Sequence, residues 1–197
     1  MADGNILYLS FKRFEDGKAL RGGALVVDST TEPLEFRCTT AVRPTKLQRI
    51  LWGARLGDHL AADLLGLPLV KALAQPFHLV VVRQPDFLGM RESIDIPLVR
   101  LRRDLDAELE DEGPSTEGKQ TEDDDAASGS SDGILTNALG RFEPVIIECR
   151  RGRESDMSAA RAALAPLFVS RDVLEPFERV ETALEAIHVQ ESKGASG

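Results

Sequence analysis

Apolar and polar residues alternate strictly near the start of the chain. In residues 5–14, NILYLSFKRF, Leu7, Leu9 and Phe11 share one face and Ile6, Tyr8, Ser10 and Lys12 the other. A period of two predicts a strand with at least one buried side. EDGK supplies an Asp-Gly turn, and GGALVVDS reads as the returning strand, the two glycines of LRGGALVV being expected to serve the hairpin. TTEP then turns the chain into LEFRCTTAV, where Leu34, Phe36, Cys38, Thr40 and Val42 alternate with Glu35, Arg37, Thr39 and Ala41. Three strands joined by short turns predict an antiparallel meander.

The period changes after Pro44. Thr45-x-x-Gln48 has the spacing of a capping box, and Leu47, Ile50, Leu51 and Ala54 follow at helical intervals. Gly57 is expected to break this helix, Asp58 to cap a second piece and Pro68 to open a third. FHLVVVR, after Gln75-Pro76, is a short continuous apolar run, the mark of a strand buried on both faces. IDIPLVRLRR alternates around Pro97, which disfavours a central strand. FEPVIIECR predicts a further buried strand, and ESDMSAARAALAPLF an Ala-rich helix capped by Ser155 or Ser158. In the last element Asp172-x-x-Glu175 can close a capping box, and Leu174, Phe177, Val180, Leu184 and Ile187 recur at helical spacing.

Residues 104–133 break every pattern. They hold twelve acids and one base, with Thr116 and Thr121 as the only β-branched residues and no aromatic. Such a segment cannot bury enough apolar surface to offset its ordering entropy, so it is expected to be disordered. The formal net charge of −9 therefore belongs to this stretch: the remaining chain carries 23 bases against 21 acids. Beyond it lie one strong strand and two helices, and a lone strand leaves its backbone groups unpaired. Val145, Ile146 and Ile147 are accordingly expected in the first sheet. The prediction is one discontinuous α/β domain over 1–103 and 134–190, an acidic insertion at 104–133 and a frayed tail at 191–197.

Little in the 197 residues announces chemistry. Cys38 and Cys149 are the only cysteines, each in an apolar strand-like segment, and read as buried reduced thiols. No His stands at ligand spacing from either, so no metal site is expected. His59, His78 and His188 read as packing or surface residues. No nucleophile elbow, P-loop or dinucleotide fingerprint occurs, and no cofactor or catalytic residue is assigned. No apolar run approaches the roughly 20 residues of a membrane helix. A cytoplasmic location without membrane contact is expected.

The element order β-β-β-α-β, insertion, β-α-α resembles the ribonuclease H-like fold, in which a three-strand meander is followed by a helix and parallel strands. That resemblance implies metal-binding carboxylates on the first strand, the following helix and the end of the fourth strand. Here the first strand reads YLSFKR, with Ser10 and Lys12 where the acid is needed. Arginine is the most uneven feature left. Arg100, Arg102 and Arg103 precede the acidic run, and Arg150, Arg151 and Arg153 follow the strand after it. As flanks of one insertion they are expected to form a basic rim suited to phosphate or an acidic partner, screened by the acidic segment. Trp52, the only tryptophan, adds a candidate partner surface, since Ile50, Leu51 and Trp52 exceed one helical stripe.

The reading drawn from these features is a non-catalytic adaptor that binds a protein partner through its helical surface, tuned by the acidic loop. The alternative is a nucleic-acid-binding or degenerate ribonuclease H-like nuclease protein using the arginine rim. A small-molecule site near Arg83, Gln84 and Asp86, at the carboxyl ends of parallel strands, is a third class. Oligomeric state is left open.

Overall fold

The computed structural model describes residues 4–103 and 130–194. Strands β1 (Ile6–Phe14), β2 (Ala19–Val27) and β3 (Pro33–Cys38) form the expected antiparallel meander. Glu15, Asp16 and Gly17 all take positive φ at the β1–β2 turn, a conformation Asp and Gly accept more readily than most residues. The returning strand begins at Ala19, earlier than the Gly-Gly pair where it was read to start, so Gly22 and Gly23 lie mid-strand. Both faces of β2 press against helices there, so neither position has room for a Cβ without displacing neighbours.

The chain then stays helical from Lys46 to Ala72. Thr45 and Gln48 close both halves of the capping box on α1 (Lys46–Trp52), and Gly53, at φ 50, ends it. A 3-10 turn at Gly53–Arg55, a single turn α2 (Leu56–Asp58), a π-helical stretch at His59–Gly66 and α3 (Leu67–Ala72) follow in direct succession. The break expected at Gly57 does not occur. Asp58 has helical φ and ψ and caps nothing.

β4 (Leu79–Val82) enters parallel to β1, and β5 (Leu98–Arg102) parallel to β4. Pro97 lies just outside β5 and uses only its carbonyl, accepting from the Val80 N–H at 2.9 Å, so a proline is compatible with this interior strand. β6 (Ser130–Leu135) and β7 (Val145–Arg150) complete a seven-stranded sheet in the order β3-β2-β1-β4-β5-β7-β6. Val145–Ile147 thus join the sheet begun at the amino terminus. Ser130–Gly133, expected to belong to the acidic insertion, pair with β7 as part of β6. Residues 104–129, expected to be disordered, lie outside the described residues.

Alternation along the strands feeds two cores. Leu7, Leu9, Phe11, Val80, Val82 and Leu98 pack with Leu60, Leu65, Leu69, Phe87 and Met90 from the helical stretch and the 3-10 segment Pro85–Glu92. Ile6, Tyr8, Val81, Val99, Leu101 and Ile147 pack on the other face with α4 (Glu154–Phe168) and α5 (Glu175–Gly194). The protein is a mixed α/β single domain of ribonuclease H-like architecture. Across the edge of the sheet, buried Asp156 at the start of α4 accepts from Arg91 Nε at 2.5 Å and from the Leu98 N–H at 3.2 Å. No helix among the described residues is long and apolar enough to cross a membrane.

Candidate functional site

Parallel strands diverge beyond their carboxyl ends, and that crevice is where open α/β sheets hold ligands. Here Gln84, two residues past β4, extends the ladder with its side chain. Its Nε2 donates to the Phe11 carbonyl at 2.9 Å and its Oε1 accepts from the Phe11 N–H at 3.2 Å. Ser10, fully buried, donates to Glu181 of α5 at 3.2 Å and accepts from Gln84 at 3.2 Å. Further along the same face Lys12 pairs with Glu185, and Arg21 donates to His188 Nδ1 at 3.2 Å and pairs with Glu191. The His188 ring stacks on Phe14 at 4.1 Å. The crevice is closed by its own hydrogen bonds.

A pair of divalent ions about 4 Å apart, which the ribonuclease H-like framework implies, needs several oxygen ligands converging on both. Ser10 supplies a hydroxyl, Gln84 an amide and Glu181 a single carboxylate. Asp58 and Asp86 belong to the helical stretch and the Pro85–Glu92 segment, which pack on the opposite face of the sheet from α5. Asp86 packs over Gly57, where an added Cβ would stand 2.4 Å from its Oδ1. Burial, then the neighbouring Asp86, push the Asp58 carboxyl up from its ordinary value. Among the described residues no three His, Cys, Asp or Glu side chains gather as a metal would require. The residues present do not fit the ion pair.

The six arginines of the expected rim have separate fates. Arg100 and Arg102 point to the same face of the sheet and both bind Glu148, at 3.0 and 2.5 Å, while Arg100 Nε also donates to the Arg83 carbonyl at 3.0 Å. Arg103 pairs with Glu143 at 3.1 Å and with Asp172, and Arg150 pairs with Glu92 at 2.6 Å. Arg151 and Arg153 are exposed. Glu148 is the residue missed at the sequence level. It alternates with Ile147 and Cys149 in VIIECR, so the strand period already placed a carboxylate on the face shared by Arg100 and Arg102.

A second basic surface surrounds α1. Residues 36–57 contain Arg37, Arg43, Lys46, Arg49 and Arg55 and no acid, a run countable in the sequence but hidden there by the more obvious acidic stretch. Arg37 pairs with Glu35 and Arg43 with Glu15; the Gln75 N–H and then Arg37 lower the Glu35 carboxyl, and Arg43 lowers that of Glu15. Lys46, Arg49 and Arg55 are exposed and form no ion pair among the described residues. No residue of α1 is buried: Leu47, Ile50, Leu51 and Trp52 all stand in solvent. The Trp52 ring stacks on His59, whose Nδ1 lies 2.7 Å from Asp63 Oδ2. The apolar stripe read in this helix packs into neither core, and all four of these side chains are exposed instead of one. The thiols are free, Cys149 buried and Cys38 partly so, and burial pushes both up.

No protein-family model matches the chain, and no curated protein matches it significantly. Solved structures do. Endonuclease V from Streptomyces avermitilis is similar at 12% identity and TM-score 0.57, over 97% of this chain and 84% of that one. Endonuclease V from Bacillus subtilis gives 9% identity and TM-score 0.54, over 97% and 83%. Ciona intestinalis endonuclease V, in complex with a 24mer DNA containing an inosine followed by a ribo-adenosine, gives 8% identity and TM-score 0.50, over 93% and 87%. These likenesses establish the ribonuclease H-like fold. They also overturn the adaptor and protein-binding reading: the frame is one found in nucleases, one of them holding DNA, which favours the nucleic-acid alternative.

Proposed function

We propose that the chain is a nucleic-acid-binding protein built on a ribonuclease H-like frame. The observation that carries this reading is the basic run of residues 36–57, which contains no acid in sequence and where Lys46, Arg49 and Arg55 stand exposed and form no ion pair among the described residues. Exposed cations outside ion pairs favour a polyanion, because each phosphate contact releases condensed counterions. The fold shared with endonuclease V structures supports the same ligand class. Arg151 and Arg153, exposed after β7, supply a second point of contact. Binding is the activity proposed here; among the described residues the strand-end crevice holds Ser10, Gln84 and Glu181, hydrogen-bonded to one another and to Phe11.

The experiment is fluorescence anisotropy of labelled oligonucleotides against the full chain over a series of salt concentrations. Phosphate contacts at Lys46, Arg49 and Arg55 alone predict a slope of log K on log salt of about −2 to −3, and engagement of Arg151 and Arg153 steepens it. Replacing Lys46, Arg49 and Arg55 by alanine together should abolish most of the binding and flatten that slope. Absence of binding at low salt, or binding that ignores salt, would refute the proposal.

A further inference from the structure

We infer that the exposed face of α1 is a platform on which unpaired bases stack, so that single-stranded nucleic acid is the preferred ligand. This rests on the nucleic-acid reading above and adds the form of the strand. Leu47, Ile50 and Leu51 are 63%, 67% and 73% exposed and Trp52 is 42% exposed, all within one seven-residue helix that buries nothing. Large apolar side chains left in water at such density mark a surface that is covered by a ligand.

The platform is held in place although nothing packs on it. The Thr45 hydroxyl accepts from the Gln48 N–H at 3.2 Å and the Gln48 side chain accepts from the Thr45 N–H at 2.9 Å, fixing the start of the helix. Gly53 fixes the end, and Trp52 lies flat on His59 with ring centroids 3.8 Å apart and planes 6° from parallel. An aromatic ring already braced by a neighbour loses little entropy when a base adds to it.

Charge complementarity selects the occupant. Lys46, Arg49 and Arg55 interleave with the apolar residues in sequence and have no acid between them. A duplex satisfies cations but hides the faces of its bases. A single strand offers phosphate and base together, the combination of basic groove and aromatic platform that single-strand binders use.

Trp52 is the sole tryptophan, so its fluorescence reports this face alone. The full chain should be titrated with a short single-stranded oligonucleotide, with its duplex form and with anionic phospholipid vesicles, and both fluorescence and anisotropy followed. We expect saturable quenching by the single strand, several-fold weaker binding of the duplex, and no blue shift with vesicles. Ile50→Ser with Leu51→Ser, both solvent-exposed positions, should weaken single-strand binding by about tenfold while leaving the circular dichroism unchanged. Equal affinity for duplex and single strand, or binding with no change at Trp52, overturns the platform and leaves the nucleic-acid reading standing. Binding of neither form overturns both. A blue shift with vesicles alone assigns the face to a lipid surface and also overturns it.

Discussion

Tyr8 occupies the centre of the molecule and is its only tyrosine. It is fully buried, meets Phe177 edge-on with centroids 5.1 Å apart, and its hydroxyl has no hydrogen-bond partner among the described residues. Burial raises its pKa, outweighing Arg179, which acts to lower it. The phenol therefore keeps its proton in the folded protein after an unfolded chain has released it near pH 10. In that range the native state binds more protons than the unfolded one, so stability falls as pH rises, by up to about 1.4 kcal/mol per unit for one group. Cys38 and Cys149, also raised by burial, act in the same direction. The contribution of Tyr8 is isolated by comparing urea midpoints of the native sequence and Tyr8→Phe on either side of pH 10. The variant should lose part of the alkaline decline, and phenolate absorbance in the native protein should appear only as the chain unfolds. A phenolate signal near pH 10 without unfolding would show that the hydroxyl is open to solvent.

Helices on both faces of the sheet approach β2 closely because of Gly22 and Gly23. A Cβ on Gly23 would lie 2.7 Å from Val180 Cγ1 and 3.2 Å from Leu184 Cδ2, both on α5, while one on Gly22 would lie 3.0 Å from Leu65 Cβ. Gly23→Ala must push α5 outward and should cost about 1–3 kcal/mol in denaturant unfolding. Gly89→Ala, with open space around it, should stay within about 0.5 kcal/mol. A Gly23→Ala protein as stable as its parent would mean that α5 packs more loosely than these distances require. Elements of this kind divide into those the sequence displayed and those it concealed. β1, β4, β7, α4 and α5 carried their burial in their own periodicity, and the capping box marked where α1 begins. β6 was hidden because SSDGIL has one buried apolar side chain, Leu135, and owes its place to hydrogen bonds from β7. β5 was obscured by Pro97, whose missing N–H matters inside a ladder but not at its start. Pro68 stands in the first turn of α3, as its place in the sequence predicted, but the helical course across Gly53, Gly57 and Gly66 was unreadable because a π-helical stretch and two short turns absorb residues that punctuate a regular helix. In the candidate site, the exposure of α1 was only hinted at by the crowding of Ile50, Leu51 and Trp52, since their spacing fits a packed stripe as well. The fate of the arginine rim was not legible, because Glu148 and Glu92 come from segments whose proximity to those arginines only the folded sheet creates.

The charge of the whole molecule opposes the ligand proposed for its surface. The chain is −9 overall, yet the part outside residues 104–133 has 23 bases and 21 acids. Long-range repulsion from a polyanion acts through net charge, whereas contact at Lys46, Arg49 and Arg55 acts over a few ångströms, and salt separates the two. At low ionic strength the Debye length exceeds about 10 Å and the acidic stretch weakens every approach of nucleic acid; above about 0.15 M its field fades within roughly 8 Å. Residues 104–129 hold eleven of the acids, and converting them to their amides keeps the chain length while moving the net charge from −9 to +2. The amide variant should bind single-stranded oligonucleotide several-fold more tightly at low salt, and the two curves of log K against log salt should converge at physiological ionic strength. Identical affinities at low salt would show that the acids do not act on the ligand at all. A gap that persists at high salt would show that they compete for the basic surface directly, at a range screening does not reach.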